Sequence, residues 1–233
     1  SRAKLSTVII TCNKQANQDI RAASMRVRVF PWNSFDDEYK ENTLTLEETK
    51  LLDPDKTPIP LVDSSDWDLC KKIHTAPGVK RLGTVKEVNV NRGEINQTVY
   101  RNFIVDDSSK TRLLKGVEVG QYVIREKLSQ GKREWFDEDL YSTDSKPREI
   151  AYIQRIATQR ITGVDERLRI VATLVEPVTY FADSTNSIYL SEKSTYAHEY
   201  ILGLLNSKLW QWRFKLTSTN NNVGTNELES MPF

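Results

Sequence analysis

Apolar residues recur in short runs broken by polar and glycine-bearing stretches, a pattern of strands and turns more than of long helices. Residues 6–12 (STVIITC) form a continuous apolar run of strand type. Residues 25–30 alternate Met25, Val27 and Val29 against Arg26 and Arg28, the period-two signature of a half-buried strand. From 31 to 60 the chain is acidic and irregular, with only LTLEETKLL interrupting, and is expected to connect. Ser65 before Asp66, with Trp67, Leu69, Cys70 and Ile73 behind it, predicts a capped short helix closed by Pro77-Gly78, and a domain boundary follows.

Beyond that boundary Val85, Val88 and Val90 predict a strand, and Asn91-Arg92-Gly93 supplies turn chemistry before residues 98–105 return as the second arm of a hairpin. Short apolar pieces at 113–114 and 121–124 are separated by glycines, and the charged stretch 125–148 reads as a surface loop. Residues 149–161 and 168–175 predict a second hairpin, and 187–190 another strand. Tyr196, Tyr200, Ile201, Leu204 and Leu205 recur at helical spacing, so a helix over 195–209 is expected, capped by Ser194 or Thr195 and running on toward Trp210, Trp212 and Phe214. It breaks at TSTNNN, and 228–232 ends the chain as a short edge piece. The fold class is therefore α+β, strand-rich, with domains at 1–80 and 81–233.

Five Trp, nine Tyr and seven Phe supply core volume to a chain only 38% hydrophobic, so it should fold with a polar surface. The formal charge of +1 gives no global field for phosphate, so any nucleic-acid contact must use a local patch. No apolar run approaches the roughly 18 residues of a membrane span, and SRAKLSTVIITCNKQ is unlike a leader, so no membrane association and a cytoplasmic location are expected. Cys12 and Cys70 fit two thiols in a reducing compartment.

Cofactor signatures are missing. Nine glycines form neither a phosphate-cradling loop nor a dinucleotide turn, and Cys12, Cys70, His74 and His198 are the whole Cys and His supply for a zinc site. Asp144-Ser145-Lys146 is the nearest approach to a nuclease triplet, in a polar stretch without strand pattern. Base-edge readers are better represented, because Arg, Asn and Gln offer paired donors and acceptors. In 148–160, Arg155, Gln159 and Arg160 interleave with Ile150, Tyr152, Ile153 and Ile156, so a strand could bury one set and present the other. Arg28, Arg92 and Arg101 are further candidates.

Several segments taken in order carry a resemblance that none carries alone. They are VNRGEINQT (90–98), LLKGVEVGQYVI (113–124), REIAYIQRIATQRITG (148–163), RIVATLVEPVTYFADSTNSIYL (169–190) and the stretch from Tyr200 to the end. Together they resemble the TaqI-like specificity domain, the target recognition domain of adenine-specific DNA methyltransferases and of fused type II restriction-modification enzymes. Leu114-Lys115-Gly116 with Tyr122, the segment Leu205-Asn206-Ser207-Lys208-Leu209 and the terminal Met231-Pro232 are the most telling parts. Residues 6–14 look like the late strand of a methyltransferase catalytic domain. The family's catalytic Asn- or Asp-Pro-Pro-aromatic motif and its S-adenosylmethionine turn are absent.

The resemblance implies a bacterial recognition fragment that binds double-stranded DNA, works with a methyltransferase domain in cis or trans, and helps present an adenine for flipping. It implies no catalytic residues and no cofactor in this chain, S-adenosylmethionine and, with a fused nuclease, Mg²⁺ belonging to the full-length enzyme. DNA-binding candidates are Arg92, Asn96, Arg101, Lys115, Arg155, Gln159, Arg160, Lys208, Thr219, Asn220 and Asn221. Arg155, Gln159 and Arg160 are expected at bases, and Lys115, Arg101 and Lys208 at phosphates. Two alternatives stand beside this reading: a metal-dependent nuclease centred on Asp139, Asp144 and Lys146, and a protein-interaction module presenting Trp210 and Trp212. A recognition subunit of a type I system is a close relative of the first reading.

Overall fold

The computed structural model describes residues 9–11, 24–30, 38–139, 147–163 and 166–233. The expected first strand at 6–12 and the Asp144–Lys146 triplet lie largely or wholly outside these residues. The chain forms two compact units, one of residues 1–80, 215–220 and 232–233, the other of residues 81–214 and 221–231. The C-terminal segment contributes residues to both units.

In the first unit β1 (Ser24–Val29) pairs antiparallel with β2 (Lys40–Thr45), with Met25, Val27 and Val29 on its half-buried side and both arginines exposed. The supposedly irregular connection therefore contains a strand, and it contains a helix too. Thr45 ends β2 and caps α1 (Leu46–Lys50) in a reciprocal box with Glu48, which stops the strand and starts the helix at one residue. Helix α2 (Ser64–Thr75) is capped by Asp63, whose carboxylate accepts from the Asp66 amide at 2.8 Å, rather than by Ser65. Leu44, Leu52, Val62, Trp67 and Cys70 are buried in this unit.

Among its described residues the second unit holds two four-stranded sheets. Strand β3 (Val88–Arg92) pairs with β10 (Thr185–Leu190), β10 with β7 (Arg155–Gln159), and β7 with β8 (Ala172–Val175), all antiparallel. The β7–β8 hairpin agrees with the sequence pattern. The first expected hairpin does not form, because β3 finds its partner almost a hundred residues away in β10, while residues 104–105 become β4 of the other sheet. That sheet runs β4 (Ile104–Val105), β6 (Glu134–Phe136), β5 (Thr111–Leu114), β9 (Thr179–Phe181), with β5 and β9 parallel. Strand β6 lies inside the charged stretch 125–148, where a surface loop is expected from the sequence. Three residues, Glu134-Trp135-Phe136, are too few for periodicity to register, yet Phe136 is fully buried against Tyr180 and Leu113.

Ala157 of β7 packs with Leu114 and Val119, and with Phe181 of β9 and Val175 of β8, so this face of β7 is covered. A short helix α3 (Pro147–Ala151) leads into β7. The expected helix over 195–209 splits into α4 (His198–Leu205) and α5 (Lys208–Lys215), and α4 starts at Ala197 without a side-chain cap. Asn206 makes the break useful. Its amide Nδ2 donates to the Ala172 carbonyl at 3.0 Å and its Oδ1 accepts from the Ala172 amide at 3.2 Å, completing the backbone bonding at the start of β8. Gln211 does the same next door, accepting from the Arg169 and Ile170 amides and donating to the Ile170 carbonyl. Residues 225–229 form helix α6 (Thr225–Glu229) rather than the expected terminal edge piece.

Candidate nucleic-acid interface

One end of the β3-β10-β7-β8 sheet collects polar side chains from four segments. Between β9 and β10 the chain turns at Ala182-Asp183-Ser184, closed by Thr185, whose amide and hydroxyl both donate to the Ala182 carbonyl. Two glycines allow other backbones to close on this turn. A Cβ on Gly93 would lie 2.0 Å from the Ala182 carbonyl oxygen, and one on Gly116 would lie 2.3 Å from the Ser184 carbonyl oxygen. Gly116 instead donates its amide to Ser184 Oγ at 3.0 Å.

Two arginines meet on this turn. Arg92, last in β3, donates from Nη2 to Asp183 Oδ2 at 2.8 Å and from Nε to the Asp183 carbonyl at 3.2 Å. Arg160, just past β7, donates from Nη1 to the same carbonyl at 3.3 Å, and its own amide bonds the Ser184 carbonyl. Burial, and after it the neighbouring Arg92, lower the Arg160 guanidinium below its ordinary value, while Asp183 opposes them. Arginine remains charged under any physiological condition, so two cations stand around a single carboxylate, which Arg92 alone bonds, and the site keeps a net positive charge. The Arg92 side chain is 48% exposed, and Arg160 has donors without partners among the described residues. Beside them Gln159 donates to the Val119 carbonyl at 2.6 Å, and the Arg160 carbonyl accepts from Val223, bringing Asn221 and Asn222 alongside as exposed residues.

Of the residues the sequence nominates, Arg92, Gln159, Arg160 and Asn221 come together here. Arg155 does not join them, and this corrects its expected place at a base. Period two puts it on the same side of β7 as Ala157, facing the other sheet, where it is 1% exposed. Both ends of its fork bind Glu94 at 3.0 Å, Nη1 also donates to Ser187 Oγ, Nη2 donates to the Thr179 carbonyl, and the guanidinium lies 3.8 Å from the Phe181 ring centroid. Four of its five donors are thus spent inside the domain. Lys115 is corrected likewise: it is buried, with its ammonium on Glu134 at 2.9 Å and on the Lys132 carbonyl. Asn96 spends its side-chain carbonyl on the Thr98 and Val99 amides, holding its own turn. Arg101 and Lys208 are exposed on other elements, and Thr219 and Asn220 belong to the first unit.

The rival readings have less to stand on. Asp139 is an exposed partner of Lys110, and no cluster of three or more metal-ligating side chains occurs among the described residues. Trp210 is a core residue at 1% exposure and Trp212 is half-buried, so they do not make an exposed patch. No helix among the described residues is long and apolar enough to cross a membrane. Asp183, the acceptor on which the cluster depends, escaped the sequence reading. Its signal is the short polar interruption Asp183-Ser184 between two strands, a turn-forming pair that fixes where neighbouring side chains converge.

The fold and the cluster define an α+β domain with a small arginine-bearing polar face at one sheet end. Residues 86–233 match the TaqI-like C-terminal specificity domain, and the chain belongs to that family. Among solved structures it is similar to the crystal structure of the HsdS subunit from Thermoanaerobacter tengcongensis, at 10% identity and a TM-score of 0.40. That similarity covers 80% of this chain and 37% of that one, so the chain spans little more than a third of its solved relative's length. No curated protein matches the sequence.

Proposed function

We propose that this chain is a DNA target-recognition domain of a restriction-modification system, reading double-stranded DNA with the sheet end built around Asp183. The observation that carries the reading is the convergence of Arg92 and Arg160 on Asp183, Arg92 at its carboxylate and carbonyl and Arg160 at the same carbonyl. It leaves a net positive site with planar donor forks, which suit guanine edges and phosphate oxygens. A chain of net charge +1 gains little from its overall field, so a local fork of this kind is what binding would require.

In this reading the domain serves an adenine-specific methyltransferase or a type II enzyme, whose catalytic part lies outside the region described and binds S-adenosylmethionine. Residues 1–80 would be the end of that part and the connection to it.

The test is enrichment from a random duplex pool at low salt, repeated at higher salt, with the parent chain and with Arg92→Ala and Arg160→Ala. A motif that survives as affinity falls supports the reading. A variant that loses a base contact relaxes one position by about 1–3 kcal/mol, and one that loses a phosphate contact lowers the salt slope by about 1. A chain that binds no duplex at low salt, or a double variant that binds like the parent, overturns it.

A further inference from the structure

Next to the arginine pair stands a small hairpin whose backbone geometry is at odds with its sequence. Val119 pairs with Ile124, the Gly120 amide donates to the Val123 carbonyl at 2.8 Å, and the Arg125 amide donates to the Glu118 carbonyl at 2.7 Å. Gln121 and Tyr122 form its tip. Tyr122 takes φ +63°, the left-handed region that glycine and asparagine favour and that a bulky side chain rarely enters. Its ring is nevertheless turned outward: Tyr122 is 57% exposed and Val123 54%.

The tip is held from three sides. The Tyr122 amide donates to the Ala172 carbonyl at 2.9 Å, the same carbonyl that Asn206 Nδ2 occupies, and Gln121 Nε2 donates to the Asn206 carbonyl at 3.3 Å. Gln159, beside Arg160, bonds the Val119 carbonyl at the hairpin's base. A strained conformation fixed by several bonds, carrying an aromatic ring and an aliphatic neighbour into solvent beside a cationic site, is a pre-set projection rather than an accident of a loose loop.

Building on the reading as a DNA-recognition domain, we infer that the tip of residues 121–123 is a wedge that stacks on a base step of the bound duplex, with the Tyr122 ring as the stacking face and Val123 beside it. Apolar and aromatic side chains that enter a base step unstack it, and such a contact tolerates many sequences because every base presents a π-face. The arginines hold the duplex, and the hairpin meets it at a fixed distance from them because Gln159 ties its base to the strand that carries Arg160.

The probes are short duplexes of one mixed sequence, each with a single 2-aminopurine at a successive position, titrated with the full chain and with Tyr122→Phe and Tyr122→Asn. Asparagine suits the left-handed backbone and removes the ring, so the hairpin is kept. Rising 2-aminopurine fluorescence confined to one step, kept by Tyr122→Phe and lost by Tyr122→Asn with about 5- to 150-fold weaker binding, is expected from the usual worth of base stacking. Duplex binding without any local fluorescence rise, or a Tyr122→Asn variant that binds and reports like the parent, overturns the wedge and leaves the arginine site standing. A parent chain that binds none of the duplexes overturns the recognition reading itself, and the wedge with it.

Discussion

Arg155 divides the possible readings of this domain most sharply, because its sequence position suggests a base contact and its surroundings deny it one. Its side chain is 1% exposed and that of Glu94 is 7%. Replacing Arg155 by Met leaves the Glu94 carboxylate buried with the Phe181 amide at 3.0 Å as its remaining donor among the described residues, and strips a partner from Ser187 Oγ and from the Thr179 carbonyl. Removing one member of such a pair costs about 3–5 kcal/mol, against a usual domain stability of about 5–15 kcal/mol. For a chain of this size that is a fall of roughly 6–20 °C in Tm. Adding Glu94→Gln removes the stranded charge while keeping an acceptor for the Phe181 amide, so the double variant should recover about 1–3 kcal/mol. Thermal unfolding of the parent, both singles and the double, run beside duplex selection, makes the measurement. Were Arg155→Met to melt with the parent chain while its selected sequence changed, the burial argument would be refuted and Arg155 would be a reader.

Three further outcomes are expected. Asn206→Ala removes both bonds to Ala172 and should cost about 1–3 kcal/mol, with faster hydrogen exchange at the Tyr122 amide because the carbonyl that holds it loses its second partner; an unchanged exchange rate would break the proposed link between the two. Asp63→Ala should lose about 1 kcal/mol from the cap of α2. The Asp66 amide, then Lys40 and Ser65, hold the Asp63 carboxyl well below its ordinary range, so its contribution is present above about pH 4 and is lost on further acidification; urea titrations of parent and variant should converge there. Burial lowers the His198 imidazole below its ordinary value, with Glu199 and the Gln154 backbone opposing. The unfolded chain therefore takes up that proton first as pH falls, so stability is complete above about pH 6.5 and declines below it until the folded form also titrates. His198→Gln should flatten that decline, and an equal slope in the two proteins would exclude the residue as its cause.

What was legible in the sequence is what period and turn chemistry can report locally. The alternation of β1, the β7–β8 hairpin and the apolar stripe of α4 all come from neighbours in the chain. The partner of β3 was illegible, because pairing with β10 is decided by burial across nearly a hundred residues and the Asn91-Arg92-Gly93 turn signal serves close packing instead of a hairpin. Strand β6 was too short to show a period. For the site, side-chain type was a fair guide to which residues carry donors, and a poor one to which face water. Arg155 and Arg160 are five apart with similar neighbours, yet one lies on the inner face of a central strand and the other just past its end.

The polar residues that carry the family resemblance turn out, by their contacts, to be mostly structural. Lys115 is tied to Glu134, Gly116 admits Ser184, and Asn206 completes the backbone of β8. Each holds a turn that feeds the sheet end, and none of the three is itself free to touch a duplex. This division has a physical basis. A recognition surface must be able to change its side chains without losing its shape, and that is possible only where buried polar contacts, costly to break singly, fix the turns from which exposed residues project. The exposed or partly exposed positions beside them are Arg92, Arg160 and Tyr122. In this scaffold, exchanging them should alter what is bound while leaving the melting temperature nearly where it was. Exchanging Lys115, Gly116 or Asn206 should do the reverse, and a set of variants that moved both quantities together would show that shape and reading are not separable here.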